Sequence, residues 1–277
     1  MENIEHLPKR QKHVAKFILD NPTDIAFLTI RELAAKINVD PATIIRTCKE
    51  LGYKGYNDLQ KQYKKAYKNN VTPSYDTLLK MLSTDSPYEE TIKNSFRSDI
   101  EVVQKTATQV SPQTIIDVVE KIEKSKNTYI IGLEAARNIA SFLGVELRTY
   151  LKNVHEITMG GGYLFDYIRS FEPGDVVIGI SFGRCIRETV MALKSSFERD
   201  ITTISITDSK FSPLYKYSHI SLLAGNSPDS HLSCFIGALS ISIAIINCCS
   251  KFERKHAVEQ VQNLKKQWEE AKIYYSE

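Results

Sequence analysis

The chain has 277 residues, enough for one large domain or two ordinary ones. Hydrophobic residues make up 42% and charged residues 25%, a composition that excludes a disordered or fibrous protein. The net charge of +3 is unevenly distributed: residues 1–70 carry 13 Lys and Arg against 8 Asp and Glu, and the remainder carries 23 against 25. A basic N-terminal segment is explained either by an anionic partner or by a solvated lysine-rich helix face. The charge distribution alone favours the solvated face.

The five cysteines are odd in number and show no CxxC spacing. This excludes a disulfide framework and a zinc site and favours a reducing compartment, so we expect neither metal nor cofactor. The first residues, MENIEHLPKRQ, have no apolar signal-peptide core. The apolar stretch Phe235–Cys249 is too short and too rich in serine to span a membrane, and it predicts a buried helix. We therefore expect a cytoplasmic protein without a membrane partner.

In chain order, residues 1–68 predict a run of short helices. Pro8 suits the first position of a helix that ends near Asn21–Pro22. Turn formers in residues 69–86 predict a linker, and a helical region follows from Pro87. We predict two domains, residues 1–76 and residues 77–277.

Short β-branched runs alternate with helical patterns in the second domain. The predicted strands are Thr128–Gly132, Val154–Thr158, Asp175–Ser181, Thr202–Thr207 and His219–Leu223. The main helical patterns between them are Ala135–Tyr150 and Arg187–Arg199, and two long helices are predicted between His231 and Tyr275. This alternation predicts an α/β fold with a doubly wound parallel sheet, preceded by an all-α domain.

Residues 29–51 have the spacing of a helix-turn-helix. Thr29 and Glu32 form a potential capping box that starts the first helix. After a short turn, Asp40 is a suitable N-cap and Pro41 fits the first position of the second helix. The expected core face comprises Leu33, Ala34, Ile37, Ile44, Cys48 and Leu51, with Ile45 at its edge.

The other face of the second helix presents Ala42, Thr43, Arg46 and Lys49. In a helix-turn-helix this face enters the major groove of DNA. Lys54, Lys61 and Lys64 follow and suit phosphate contacts. An ordinary helical hairpin has the same spacing. The small Ala34 at the crossing, the small and cationic outward face and the basic surroundings favour binding to a double-stranded DNA operator.

The phrase VDPATIIRTCKELGYKGYNDL resembles the N-terminal domain of the RpiR family of bacterial regulators. The matching positions are Ala42, Thr43, Ile44, Arg46, Leu51, Gly52, Tyr53, Gly55 and Tyr56. Asp40 replaces a usual Ser and Thr47 a usual Phe. The resemblance implies a DNA-binding transcription regulator.

Parallel α/β sheets bind ligands beyond the carboxyl ends of their strands, so the loops there are candidate sites. The candidate ligand residues, all in such loops, are Gly132, Glu134, Ser181, Gly183, Arg184, Arg187, Thr189, Thr207, Asp208 and Ser209. Arginine forks suit a phosphate or a carboxylate. The alternative is that Arg184 and Arg187 pair with Glu188 or other surface acids.

The phrases ISFGRCIRETVMAL and ITDSKFSPLYKYSHISLL resemble the sugar isomerase (SIS) domain, the usual C-terminal partner in the RpiR family. The resemblance implies a phosphosugar or another small anionic metabolite as ligand. Two loops depart from the usual pattern. Gly183 and Arg184 stand where Ser and Gly are common, and Glu134 places a carboxylate near the expected anion.

The leading hypothesis is a ligand-controlled regulator that is not an enzyme. The alternatives are a sugar-phosphate isomerase or SIS-type binding protein with a helical extension that does not bind DNA, and a degenerate site that binds nothing. The potential bases Glu134, Glu188, His155, His219 and His231 form no recognisable catalytic arrangement. We expect a homo-oligomer, a dimer or tetramer, in which the helices Phe235–Cys249 and around Trp268 either form the interface or only cover the sheet.

Overall fold

The computed structural model describes residues 6–71, 78–79, 82–83, 85–183, 185–227, 230, 232–251 and 254–272. The chain separates into two compact units. One comprises Met1–Thr72 with Ser209–Ser212, and the other Pro73–Asp208 with Pro213–Glu277. The named strands all lie in the second unit.

Five helices form the first unit. Their bounds are α1 Lys9–Asp20, α2 Pro22–Phe27, α3 Ile30–Lys36, α4 Pro41–Glu50 and α5 Tyr56–Val71. The predicted position of Pro8 is wrong by one residue, because Pro8 is the N-cap and α1 begins at Lys9. The predicted linker begins later than expected, since residues 69–71 are helical, and much of the rest of 69–86 lies outside the described residues.

The core of the first unit is aliphatic and includes the predicted face of the two motif helices. Its fully or nearly fully buried residues are Val14, Ile18, Ile25, Leu33, Ala34, Ile37, Ile44, Cys48, Tyr56 and Leu59. Leu51 is half-buried against this core, and Ile45 is exposed, as expected. Burial of aliphatic surface on this scale holds short helices that would be marginal alone.

The second unit opens with two helices and then alternates strands and helices. The helices are α6 Tyr88–Gln109, α7 Pro112–Glu123, α8 Arg137–Leu147, α9 Gly162–Ser170, α10 Arg187–Glu198, α11 Pro213–Lys216, α12 Ser233–Cys249 and α13 Arg254–Glu270. The strands are β1 Thr128–Gly132, β2 Val154–Ile157, β3 Val176–Ile180, β4 Thr202–Thr207 and β5 Ile220–Leu223. The five predicted strands are confirmed, three of them shorter by one or two residues at their ends, and Ser181 lies beyond β3.

The sheet is parallel throughout, with strand order β2-β1-β3-β4-β5. One face is covered by α7, α8 and α12, whose apolar residues share a core with Ile130, Ile178 and Ile204 of the strands. The opposite face is covered by α9, α10 and α11, which pack on Ile131 and Val177. The predicted doubly wound α/β fold is therefore confirmed.

The apolar stretch near the C-terminus forms α12, as predicted, and nine of its residues are buried. It packs against α6, α7 and α8. Within the part of the chain that the structure describes, no helix has both the length and the apolar character needed to cross a membrane.

Candidate nucleic-acid interface and ligand loops

The two motif helices, α3 and α4, both begin at N-caps formed by the predicted side chains, Thr29 and Asp40. Thr29 N–H donates to Glu32 Oε2 at 2.7 Å, and Glu32 N–H donates to Thr29 Oγ1 at 3.3 Å, which completes the capping box. Hydrogen bonding to the backbone N–H of Thr29, and then to its side chain, lowers the pKa of the Glu32 carboxyl. Asp40 Oδ1 accepts from Ala42 N–H at 2.6 Å, and Pro41 is the first residue of α4. The turn passes through Asn38 with φ of +49°, a left-handed conformation that Asn tolerates.

One face of α4 is directed away from the core. Ala42, Arg46 and Lys49 are exposed, and Thr43 is half-buried. Thr47, at a usual Phe position, is fully buried, and its hydroxyl is satisfied by donating to the carbonyl of Thr43 at 2.9 Å. The predicted DNA-reading residues therefore share one exposed surface.

The lysines proposed for phosphate contacts lie just before α5, at Lys54, and on α5, at Lys61 and Lys64. Tyr56 Oη and Gln60 Nε2 both donate to the carbonyl of Leu28, at 2.8 and 2.6 Å, and fix α5 against the start of the motif. Burial raises the pKa of Tyr56 to about 12, so this donor keeps its proton. Lys54, Lys61 and Lys64 are exposed beside it.

The sheet has a switch point between β1 and β3. The chain passes from β1 to β2 on one side and then returns to β3 on the other side of β1. A crevice at such a point is the usual ligand site of open α/β sheets. The loops after β1 and β3, which the sequence singled out, flank it.

Gly132, predicted in the loop after β1, is instead the last residue of that strand and is buried for a packing reason. A Cβ there would lie 2.6 Å from the carbonyl oxygen of Ala136 and 2.7 Å from Ala140 Cβ. Glu134 is exposed and has φ of +52°, and its carbonyl accepts from Arg137 Nε at 2.9 Å. The Glu134 carboxylate is therefore accessible at the edge of the crevice.

The loop after β3 turns at Gly183, whose φ of +54° favours glycine. Ser181 Oγ accepts from Ile186 N–H at 3.3 Å, and Gly183 N–H donates to Asp208 Oδ1 at 3.0 Å. Arg187 is exposed at the first position of α10. Arg184, a predicted ligand residue, lies outside the described residues.

Two predicted ligand residues are buried hydroxyls without a hydrogen-bond partner. Among the described residues, three buried side-chain oxygens have none, and they belong to Thr189, Thr207 and Ser98. Thr207 ends β4, and Thr189 lies in the first turn of α10. Nearly all buried polar groups in proteins have a partner, which for such hydroxyls is either an ordered water or a bound polar molecule.

Asp208 and Ser209 continue the loop after β4. Burial raises the pKa of the Asp208 carboxyl, and the hydrogen bonds from Gly183 N–H and from the Asn226 side chain oppose that change. Ser209 Oγ accepts from Phe211 N–H at 3.1 Å. Sequence reasoning missed Asn226, which lies just beyond β5 in a loop at the same edge of the sheet.

Three of the potential bases, His219, His155 and Glu188, have structural partners. His219 Nδ1 lies 3.0 Å from Thr203 N, and the His155 ring stacks on Tyr129 with centroids 5.2 Å apart. Glu188 Oε1 accepts from Gly161 N–H at 3.1 Å. His231 lies outside the described residues.

Comparison with known families identifies the domain family of each unit. Residues 1–70 match the model of the helix-turn-helix domain of the rpiR family, and residues 121–247 match the SIS domain. The chain belongs to the RpiR family. It is a DNA-binding transcription regulator that carries an SIS domain.

This RpiR regulator is similar to a named relative and to two solved structures. An HTH-type transcriptional regulator of Haemophilus influenzae is 25% identical over 228 residues, which cover 80% of this chain and 77% of that protein. The sugar isomerase domain of an RpiR transcription factor from Sphaerobacter thermophilus is 26% identical, with a TM-score of 0.58, over 62% of this chain and 96% of that one. The Vibrio vulnificus NanR protein, solved in complex with ManNAc-6P, has the same fold, with 23% identity and a TM-score of 0.57 over 96% of this chain and 95% of that one.

Proposed function

We propose that this regulator senses a phosphosugar or a similar small anionic metabolite between the loops after β1 and β3. The observation that carries the proposal is two buried, unpaired hydroxyls, that of Thr207 at the carboxyl end of β4 and that of Thr189 in the first turn of α10. Arg187, the exposed first residue of α10, supplies positive charge. NanR, with the same fold, was solved with a sugar phosphate bound.

The proposed roles follow from these positions. Arg187 pairs with the anion, with Arg184 as a second candidate from the sequence, and Gly183 lets the backbone approach the ligand. Ser181 and Thr189 hydroxyls line the anionic end, and Thr207, Asp208 and Ser209 hold ligand hydroxyls. Gly132 shapes the crevice floor, and Glu134 at its edge selects against ligands with a second negative group.

The test is calorimetry with ManNAc-6P and inorganic phosphate as probes. We expect Arg187→Ala to weaken binding of the better probe at least tenfold. Arg169→Ala, an exposed arginine on α9, is the matched control and should bind as wild type does. Equal binding by wild type and Arg187→Ala removes the arginine from the site, and binding of neither probe contradicts the ligand class.

We propose that DNA is read by α4 and held by α5. Arg46 and Lys49 face base edges, Ala42 and Thr43 permit close approach, and Lys54, Lys61 and Lys64 contact phosphates of an operator in the bacterial cytoplasm. Phosphate contacts make binding salt-dependent, with a slope of about −0.9 per neutralised phosphate. Lys61→Ala and Lys64→Ala should each reduce the measured slope by about one.

We propose that the regulator acts without catalysis. An aldose–ketose isomerase needs a base next to the carbon that it deprotonates. The imidazole of His219 and the carboxylate of Glu188 are each engaged by backbone amides of their own unit. Turnover of a sugar phosphate by the purified protein would contradict this proposal and favour the isomerase alternative.

We further propose that two copies pair through α6. This helix presents a stripe of large apolar side chains to solvent, namely Tyr88, Ile92, Phe96, Ile100 and Val103. Tyr88 is 90% exposed and Phe96 68%. Exposed apolar patches of this size are typical of interaction sites. The partner is a second copy because helix-turn-helix proteins read paired half-sites as symmetric dimers.

A further inference from the structure

The loops after β3, β4 and β5 are joined by hydrogen bonds that end on α6. Gly183 N–H donates to Asp208 Oδ1 at 3.0 Å, and the Asn226 side chain lies near enough to the same carboxyl group to lower its pKa. Lys105 Nζ on α6 donates to the carbonyl oxygen of Asn226 at 2.9 Å and to its Oδ1 at 3.0 Å. Because Asn226 Oδ1 accepts from Lys105, its amide nitrogen is the donor available to Asp208. We call these three side chains the Asp208–Asn226–Lys105 chain.

At the same place α6 is held tightly to the loop after β5. Gly225 N–H donates to Thr106 Oγ1 at 2.9 Å, and Thr106 in turn donates to the carbonyl of Val102 at 2.7 Å. A Cβ on Gly225 would lie 2.7 Å from the Val102 oxygen. The loop after β5 and α6 are therefore in close contact, and a displacement of one must move the other.

Asp208 occupies a donor that an anionic ligand would need. The Gly183 N–H lies in the loop proposed to bind the anion, and a backbone N–H makes one strong hydrogen bond at a time. An incoming anion must take this donor from the Asp208 carboxylate and must also approach a like charge. After displacement, Asp208 retains the Asn226 amide and can accept from a ligand hydroxyl.

We propose that Asp208 is an internal competitor for the ligand, and that its displacement is transmitted through Asn226 and Lys105 to α6. This inference rests on the proposed function, since it needs an anion at the Gly183 loop. The displacement of Asp208 gives the ligand-bound and ligand-free states different contacts, which a ligand needs in order to shift a conformational equilibrium. The helix that receives the displacement carries the stripe proposed for pairing, so ligand occupancy changes how two helix-turn-helix units are spaced.

The first test uses no ligand. Hydrogen exchange of residues 181–187 is compared in the full-length variants Lys105→Met and Lys93→Met. Both lysines are exposed on α6, but Lys93 pairs only with Glu89 of its own helix in a 2.6 Å ion pair, so it is the matched control. We expect exchange in the loop to become at least threefold faster in Lys105→Met and to stay unchanged in Lys93→Met. Equal exchange rates in the two variants would mean that the Asp208–Asn226–Lys105 chain does not hold the loop.

The second test separates competition from transmission, with inorganic phosphate and ManNAc-6P as probes. Asp208→Asn should bind phosphate at least fivefold more tightly than wild type, because the competing charge is gone. Lys105→Met should bind ManNAc-6P within twofold of wild type, and the effect of this probe on DNA affinity should fall to less than half. If Asp208→Asn binds phosphate no more tightly than wild type, Asp208 does not compete with the ligand. If ManNAc-6P changes the DNA affinity of Lys105→Met as much as that of wild type, Lys105 does not transmit the displacement. If wild type binds neither probe, the proposed ligand class fails, whereas the exchange comparison still decides whether the chain operates.

Discussion

Arg46 is the only arginine on the exposed face of α4, where a side chain can reach base edges. We predict that Arg46→Ala weakens binding to an operator selected by the wild-type protein. Loss of one good base contact costs about 1–3 kcal/mol, which is roughly 5- to 150-fold in affinity. Anisotropy titrations measure this, with Arg169→Ala in the second unit as control. Unchanged operator affinity in folded Arg46→Ala protein would exclude α4 as the reading helix.

Asp208 makes stability depend on pH with a defined sign. Burial raises its pKa above the ordinary value of 3.8, so the folded state holds this proton more tightly than the unfolded state. Its contribution to stability is complete below pH 3.8 and is lost as the pH rises through the folded-state pKa. The nearby Cys234 thiol, whose pKa burial raises to about 12, stays neutral over this range.

We therefore predict that Asp208→Asn, which cannot titrate, gains stability relative to wild type as the pH rises from 3.8 towards neutrality. Urea unfolding at a series of pH values measures the difference. Asp166→Asn, an exposed carboxylate on α9, is the control. A difference that stays constant with pH would show that the Asp208 carboxyl is not held in a desolvated site.

At the scale of elements, the contact between α6 and the loop after β5 depends on Gly225. We predict that Gly225→Ala destabilises the second unit by about 1–3 kcal/mol, because the new methyl group would meet the Val102 carbonyl. Gly162→Ala at the start of α9 meets nothing within 4 Å and is the matched control. Denaturant unfolding that gives equal stability for the two variants would mean that the close approach is absent in solution.

Local signals made the elements predictable from the sequence. The Thr29 and Glu32 capping box and the Asp40–Pro41 start of α4 depend on residues within a few positions of one another, and both are present. The β-branched runs also became strands, because a parallel sheet buries them on both faces.

Long-range contacts were not predictable in the same way. Lys105 and Asn226 are 121 residues apart, and no local pattern marks their bond. The sequence shows that Thr47 replaces a usual Phe, but only the structure shows that its buried hydroxyl donates to the carbonyl of Thr43. Gly132 was selected as a ligand residue, and its packing against Ala136 and Ala140 depends on how α8 crosses the sheet.

At the scale of the whole molecule, α6 carries an exposed apolar stripe that the sequence did not single out. The sequence marked Phe235–Cys249 and the helices around Trp268 as candidate interfaces. Most of the apolar surface of α12 packs on the sheet and on α6, α7 and α8, whereas Trp268 on α13 is 36% exposed and stays a candidate. On α6, residues such as Val102 and Thr106 face the core, while Ile92, Phe96 and Ile100 face solvent. A helix apolar on both sides is typical of one that joins a core to a partner.

The stripe on α6 supplies part of a stable interface. A fully buried aromatic side chain contributes about 150–250 Å², and a standard interface takes about 800 Å² from each partner. The exposed parts of two aromatic and three aliphatic side chains fall short of that area, so neighbouring residues must supply the rest. A pair of α6 helices related by a twofold axis would then set the separation of two reading helices, which must match half-sites about 34 Å apart.

We predict that Phe96→Glu converts a dimer into a monomer at micromolar concentration, because pairing would bury an unpaired carboxylate at the centre of the stripe. Operator affinity should fall with it, since one reading helix then binds without its partner. Sedimentation equilibrium of the full chain measures the association. Ile116→Glu, an equally apolar but separate exposed position on α7, is the control and should remain dimeric. If Trp268→Glu on α13 dissociates the protein and Phe96→Glu does not, the interface lies on the C-terminal helix and the assignment to α6 is wrong.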